Sequence, residues 1–108
     1  MQSILPPPIA RYFEAQNGHD IDAMLAIFSD QASVHDEGHD AVGRVAIRDW
    51  MEETSRKYRV TAVPTGVDRS DAKTIVTALV SGTFPGSPIR LHYSFTVAGE
   101  QITDLAIG

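Results

Sequence analysis

The sequence predicts a single α+β domain in which three N-terminal helices pack on one face of a curved antiparallel sheet. Three observations support this fold class. The chain has 108 residues, enough for one hydrophobic core but not for two. Apolar residues recur at helical spacing in the first half of the chain. In the second half they alternate with polar residues, and turn residues separate the alternating segments, as in a meander of strands.

The first two predicted helices form a hairpin. Prolines at 6–8 suit a first helical turn, whose N–H groups need no partner within the helix, and Gly18 ends that helix. Asp20 is placed to cap the second helix. The predicted apolar face of this second helix consists of Ile21, Met24, Leu25 and Phe28.

A short extended segment leads to the third helix. Residues 32–36 alternate in polarity and predict a brief strand, in which Asp36 shares a face with Val34 and His35 points to the other face. Residues 37–42 are predicted to form a loop, and Gly43 precedes a helix predicted over 44–58.

Four further strands are predicted, at about 59–68, 73–84, 88–98 and 101–107. In the third of these, Tyr93 and Phe95 share the core face and His92 lies on the opposite, convex face. Simple alternation in the last strand gives Asp104 the same face as Ile102. Because straight helices cannot cover a curved sheet flush along its whole length, we expect an apolar pocket between the two layers.

Composition excludes several classes of function. Nine Lys+Arg against fourteen Asp+Glu give a net charge of −5, which disfavours nucleic acid as a partner. Without cysteine there are no disulfides and no thiolate chemistry. No apolar run approaches the ~20 residues of a membrane span, and the N-terminus lacks the pattern of a signal peptide. The expected location is the cytoplasm.

Four segments together resemble the nuclear-transport-factor-two-like superfamily, which includes the ketosteroid isomerases and the SnoaL-like polyketide cyclases. They are Arg11-Tyr12-Phe13, Asn17-Gly18-His19-Asp20, the stretch 28–36, and Gly43-Arg44-Val45-Ala46-Ile47-Arg48-Asp49-Trp50. The resemblance covers essentially the whole chain. It implies one domain over residues 1–108, with a cone-shaped curved sheet and three helices that enclose an apolar pocket.

Within this superfamily, the first half of the chain is most similar to the ketosteroid isomerases. Their catalytic tyrosine and base aspartate match Tyr12 and Asp36, which are 24 residues apart, and their second oxyanion donor falls on Tyr93. The resemblance implies cofactor-independent proton transfer on a small hydrophobic carbonyl compound. In that reaction Asp36 is the general base, and Tyr12, together with Tyr93, hydrogen-bonds the enolate oxygen. We expect Tyr12 and Asp36 to meet inside the pocket.

The predicted pocket walls are large apolar side chains from several elements, with a histidine at the mouth. They are Met24, Phe28, Trp50, Met51, Phe84, Phe95 and His39. The resemblance also implies a homodimer through the convex sheet face, which includes His92.

The sequence also admits three other interpretations. The segment from His35 to Asp40 is rich in imidazole and carboxylate groups, but strand alternation and Gly38 separate them, so we predict neither a metal nor a cofactor. Epoxide hydrolysis needs an arginine in the pocket, and Arg90 has the opposite parity to Tyr93. A non-catalytic module that binds a small ligand or dimerises stays open as the alternative function.

Overall fold

A computed structural model describes residues 5–36 and 38–108. In these residues the elements are α1 (Pro7–Asn17), α2 (Ile21–Ala26), β1 (Phe28–Asp36), β2 (His39–Val42), α3 (Arg44–Tyr58), β3 (Thr61–Ser70), β4 (Lys73–Ser81), β5 (Ile89–Ala98) and β6 (Gln101–Ile107). The strands form one open sheet in the order β2-β1-β6-β5-β4-β3. The predicted α+β class is confirmed. In the part of the chain described, none of the helices has the length and apolar character needed to cross a membrane.

The sheet differs from the prediction at one pair of strands. Neighbouring strands are antiparallel except β1 and β6, which run parallel, with Val34 opposite Leu105. The strand from the helical half of the chain therefore lies beside the last strand of the meander. This pairing brings the end of β1, where Asp36 lies, next to the end of β6.

Irregular pairing bends the strands. Thr65 in β3 and Thr103 in β6 are extra residues that have no partner on the neighbouring strand, so the pairing shifts by one residue at each. Such a β-bulge kinks the strand and increases its twist. Because of the shift at Thr103, Ile102 and Leu105 are both fully buried. Asp104 turns to the opposite face, so its predicted parity with Ile102 is wrong.

Two predicted boundaries in the first half are also wrong. α2 ends at Ala26, and Phe28 begins β1 instead of closing the helix, because the Ile102 N–H donates to the carbonyl of Ile27 and pairs this segment with β6. The segment predicted as a loop contains β2, which forms a hairpin with β1. Gly38 supplies a positive φ of 78° in this turn.

The core is organised around aromatic rings from α1, β1 and β5. The Tyr12 ring lies 5.4 Å from those of Phe13 and Phe95, 6.0 Å from that of Phe28 and 6.2 Å from that of Tyr93, measured between ring centroids. All five residues are at most 3% exposed. Edge-to-face pairs of this kind contribute about 0.5–1.5 kcal/mol each beyond their area burial, so α1 is fixed firmly on the sheet.

The segment after β4 closes against the end of α3. The carbonyl of Tyr58 accepts a hydrogen bond of 2.7 Å from the N–H of Thr83, and the N–H of Gly82 donates to the Ser87 hydroxyl over 3.0 Å. A Cβ at position 82 would collide with the Tyr58 carbonyl oxygen. Glycine is thus required here for a close backbone approach.

We predict that Gly82→Ala lowers the free energy of unfolding by about 1–3 kcal/mol, because α3 and this segment must move apart. Gly66→Ala is the matched control, since a Cβ there meets only the Thr77 side chain at 4.0 Å. Urea denaturation of both variants measures the difference. Equal stability of the two variants would contradict the close approach.

Candidate functional site

A cavity of about 460 Å³ lies between α3 and the inner face of the sheet, and we call it the main cavity. Its size is in the range usual for small-molecule sites. Its apolar lining residues are Trp50, Val60, Val80, Phe84, Pro85, Ile89, Leu91 and Ile107. The polar side chains that line it are Gln16, Asp36, Thr54, Tyr58 and Tyr93. A few polar groups in an apolar wall orient a ligand more than they solvate it.

Asp36 is the one carboxylate side chain that lines this cavity among the described residues. It lies at the end of β1, and the alternation of the strand turns it toward α3, where the Trp50 indole N–H donates to its Oδ2 over 3.0 Å. Both side chains are partly buried. A hydrogen bond from a neutral donor to a carboxylate fixes the orientation of Asp36 without cancelling its charge.

Asp36 and Trp50 also line a second space of about 410 Å³, the outer hollow, between α3 and β2. Its charged side chains include the acidic Asp49 and Glu53 and the cation Lys57. His39, predicted at the mouth of the pocket, lines this outer hollow and not the main cavity. Asp36 and Trp50 therefore stand at the boundary between an apolar and an acidic space.

Tyr93 presents its phenol to the main cavity although the residue is only 2% exposed. Burial raises the pKa of Tyr93 to about 12; the hydrogen-bonding Gln16 side chain opposes that rise, and the charge of Asp36 adds to it. At neutral pH the group is therefore a protonated phenol, which donates a hydrogen bond. Its position on β5 follows from the predicted alternation with Phe95.

Tyr12 lies deeper than the sequence predicts. It is fully buried, and burial, followed by the nearby Tyr93 and Asp36, raises the pKa of its phenol well above the usual value. Its hydroxyl has no hydrogen-bond partner within the described chain. It lines a space of only about 20 Å³, the inner hollow, and is absent from the lining of the main cavity. Tyr12 and Asp36 are thus close enough for the carboxylate charge to act on the phenol, but they line separate spaces.

The predicted wall residues fall into three groups. Trp50 and Phe84 line the main cavity. Met24 and Met51 line the inner hollow, together with Trp50. Phe28 and Phe95 are 0% exposed and pack in the aromatic core, so in the described structure neither is available to a ligand.

Sequence reasoning missed Gln16, Tyr58 and Leu91 in the lining of the main cavity. The signals were present. Gln16 follows Tyr12 by one helical turn, and Leu91 lies two residues before Tyr93, on the same face of the strand. Tyr58, the last residue of α3, follows Trp50 and Thr54 at helical spacing on the inner face of that helix.

A charged cluster lies on the opposite face of the sheet. The two ring nitrogens of His35 contact the carboxylates of Asp40, at 2.8 Å, and Asp104, at 3.0 Å. These hydrogen bonds, the one to Asp40 first, raise the pKa of His35 against a smaller lowering by burial. The cluster connects β2, β1 and β6. Across residues 5–36 and 38–108, no group of three or more histidine and carboxylate side chains has the arrangement of a metal site.

We predict that His35 makes stability depend on pH. Because its pKa is raised in the folded chain, its stabilising effect is full below the ordinary value of ~6.5 and is lost as pH rises through the raised pKa. His35→Gln should therefore lose stability at about pH 6 and much less at about pH 8, as measured by urea denaturation. His39→Gln is the control, because its side chain is exposed and lies outside the proposed dimer face. A His35→Gln effect that is the same at both pH values would refute this coupling.

Comparison with known proteins places the chain in a family. The family model of the SnoaL-like domain matches residues 9–105. A candidate polyketide cyclase from Sinorhizobium meliloti is 38% identical, with a TM-score of 0.92 over 96% of this chain and 95% of that chain. No curated protein matches the sequence.

Two further solved structures share the fold at lower identity. A Catenulispora acidiphila protein with a ketosteroid-isomerase-like fold, in complex with trimethylamine, is 20% identical, with a TM-score of 0.84 over 97% of this chain and 86% of that chain. A candidate polyketide cyclase from Xanthomonas campestris is 24% identical, with a TM-score of 0.79 over 93% and 85% of the two chains. The chain thus belongs to the SnoaL-like domain family and has the ketosteroid-isomerase-like fold of the nuclear-transport-factor-two-like superfamily.

Proposed function

We propose that this protein is a cofactor-independent enzyme of the cyclase or isomerase type that moves a proton on a small hydrophobic carbonyl compound. One observation carries the proposal: the Asp36 carboxylate and the Tyr93 phenol line the same, mainly apolar cavity. A base and a hydrogen-bond donor in one cavity are the two groups that enolate chemistry needs. The family and the Sinorhizobium meliloti structure support a cyclase-like reaction.

In this mechanism Asp36 takes a proton from the carbon next to the carbonyl group. The electron pair of the broken C–H bond moves to form the enolate, and its oxygen accepts a hydrogen bond from the Tyr93 hydroxyl. The protonated Asp36 then returns the proton to another carbon of the same molecule, so that the enzyme ends as it began. Trp50 keeps the carboxylate aimed during both steps through its indole hydrogen bond.

We predict that Asp36→Asn slows exchange of the α-proton for deuterium by about 10²–10⁴-fold, because the base is lost. Tyr93→Phe should slow it by about 10²–10³-fold through loss of the oxyanion donor. The measurement is proton NMR in D₂O on a panel of cyclic enones and β-keto esters. Panel compounds are first selected by their stabilisation of the folded chain.

Asp68→Asn is the matched control for the exchange experiment, since this exposed carboxylate lies on β3 and does not line the main cavity. It should exchange at the wild-type rate. Exchange by Asp36→Asn at that same rate would rule out the proposed base.

An observation on the outer sheet face supports a homodimer, which is compatible both with the enzyme and with the alternative, a non-catalytic module that binds a small ligand or dimerises. Val63 and Leu79 are opposite each other on β3 and β4, and they are 56% and 40% exposed. Their strand neighbours Ala62 and Val80 are buried, so the exposed pair faces away from the helices. We propose that a second copy of the chain covers this convex face in a homodimer.

We predict that Leu79→Lys converts the dimer to a monomer, because it places charges in an apolar contact. Light scattering over a range of protein concentrations measures the change. Val45→Lys is the control, since Val45 is 81% exposed on α3, outside this face. A monomeric wild-type chain, or a dimer that survives Leu79→Lys, would exclude this interface.

A further inference from the structure

The inner hollow contains two polar atoms that are buried without a partner. The Tyr12 hydroxyl and the Gln16 Oε1 have no hydrogen bond within the described chain, and Tyr12 is 0% exposed. Both residues line this space of about 20 Å³. Native proteins rarely leave such groups unsatisfied, because each one loses its hydrogen bonds to water on folding.

The chemistry of the two atoms defines what fits between them. The phenol of Tyr12 stays protonated and donates, whereas an amide oxygen such as Gln16 Oε1 only accepts. An occupant must therefore accept one hydrogen bond and donate another, as an O–H group does. A hollow of about 20 Å³ is large enough for one water, which needs about 10–15 Å³ and two to four polar partners. The hydroxyl groups of Thr54 and Ser55 also line the space.

Gln16 connects the inner hollow to the main cavity. It lines both spaces, and it follows Tyr12 by one turn of α1. Its side chain also interacts with Tyr93 and lowers the pKa of that phenol. An amide N–H that donates to the Tyr93 oxygen has this effect. The hydrogen of the Tyr93 hydroxyl must then point away from Gln16. Because Tyr93 lines the main cavity, that cavity is where the hydrogen can point.

We infer that one buried water in the inner hollow bridges the Tyr12 hydroxyl and the Gln16 Oε1, and that Gln16 so held is a positioning residue for Tyr93. Tyr12 then acts through the water and Gln16, and not by contact with a ligand. The inference deepens the proposed function, because it explains how the hydroxyl hydrogen of Tyr93 is directed to the cavity. The bridge itself is testable without any substrate.

A high-resolution crystal structure of the wild-type chain tests the bridge. We expect an ordered water at about 2.7–3.0 Å from both the Tyr12 hydroxyl and the Gln16 Oε1. Gln16→Met should lose this water, and Tyr12→Phe provides a second variant in case the first does not fold. A direct Tyr12–Gln16 hydrogen bond, or a hollow closed by side chains, overturns the inference. A water that stays in place in the variants also overturns it.

Titration tests the positioning of Tyr93. Replacing the chain's three tyrosines with 3-fluorotyrosine makes the phenols more acidic and gives one fluorine resonance for each residue. We expect Gln16→Met to raise the pKa of the residue at position 93, because the opposing Gln16 interaction is removed. Gln31→Met, the same change at an exposed position of β1, should leave that pKa unchanged. An unchanged pKa in Gln16→Met refutes the positioning role.

These two measurements are independent of the proposed reaction. If Asp36→Asn exchanges protons at the wild-type rate, the proposed function fails, while the crystal structure and the titration still test the water bridge and the positioning role of Gln16. If the water is absent and exchange depends on Asp36 and Tyr93, the water bridge is refuted and the proposed function stands.

Discussion

The hydrogen bond from the Trp50 indole to the Asp36 carboxylate joins the end of β1 to the middle of α3. Because both side chains line the main cavity and the outer hollow, this bond forms the partition between the two spaces. At 3.0 Å it ties the carboxylate to α3. The position of α3 on the sheet therefore helps to set the direction in which the carboxylate faces.

Much of the fold could be predicted because the signals are local. The bounds of α1 and α3 follow from proline, glycine and apolar spacing, and the structure has them at Pro7–Asn17 and Arg44–Tyr58. Strand alternation correctly separates His35 from Asp36, since the first binds carboxylates on one face and the second binds Trp50 on the other. These are properties of a few adjacent residues, and short-range sterics decide them.

The errors come from pairing between distant parts of the chain. Phe28 has the spacing of a helical residue, but a hydrogen bond between β6 and the segment before β1 takes it into the sheet. One extra residue at Thr103 reverses the parity of Asp104, and nothing in the local sequence marks it. The depth of Tyr12 depends on how α1 is rotated over the sheet, and four surrounding rings set that rotation. Site residues on single strands were therefore easier to place than those on packed helices.

The charge of Asp36 acts on both buried phenols, including the proposed donor Tyr93. It raises the pKa of both Tyr12 and Tyr93, in addition to the larger effect of burial. The carboxylate thus adds to the effect of burial in favouring the protonated form of each phenol, and only a protonated phenol donates to an enolate oxygen. His35 is adjacent to Asp36 in sequence, but its ring lies on the opposite face of the sheet, where it binds the carboxylates of Asp40 and Asp104. Its charge therefore does not cancel the effect of Asp36 on the phenols. When the carboxylate takes up a proton its charge disappears, and the adjacent phenols become more acidic at the moment when negative charge forms on the ligand oxygen. In the proposed mechanism, the base Asp36 and the hydrogen-bond donor Tyr93 would therefore be coupled electrostatically.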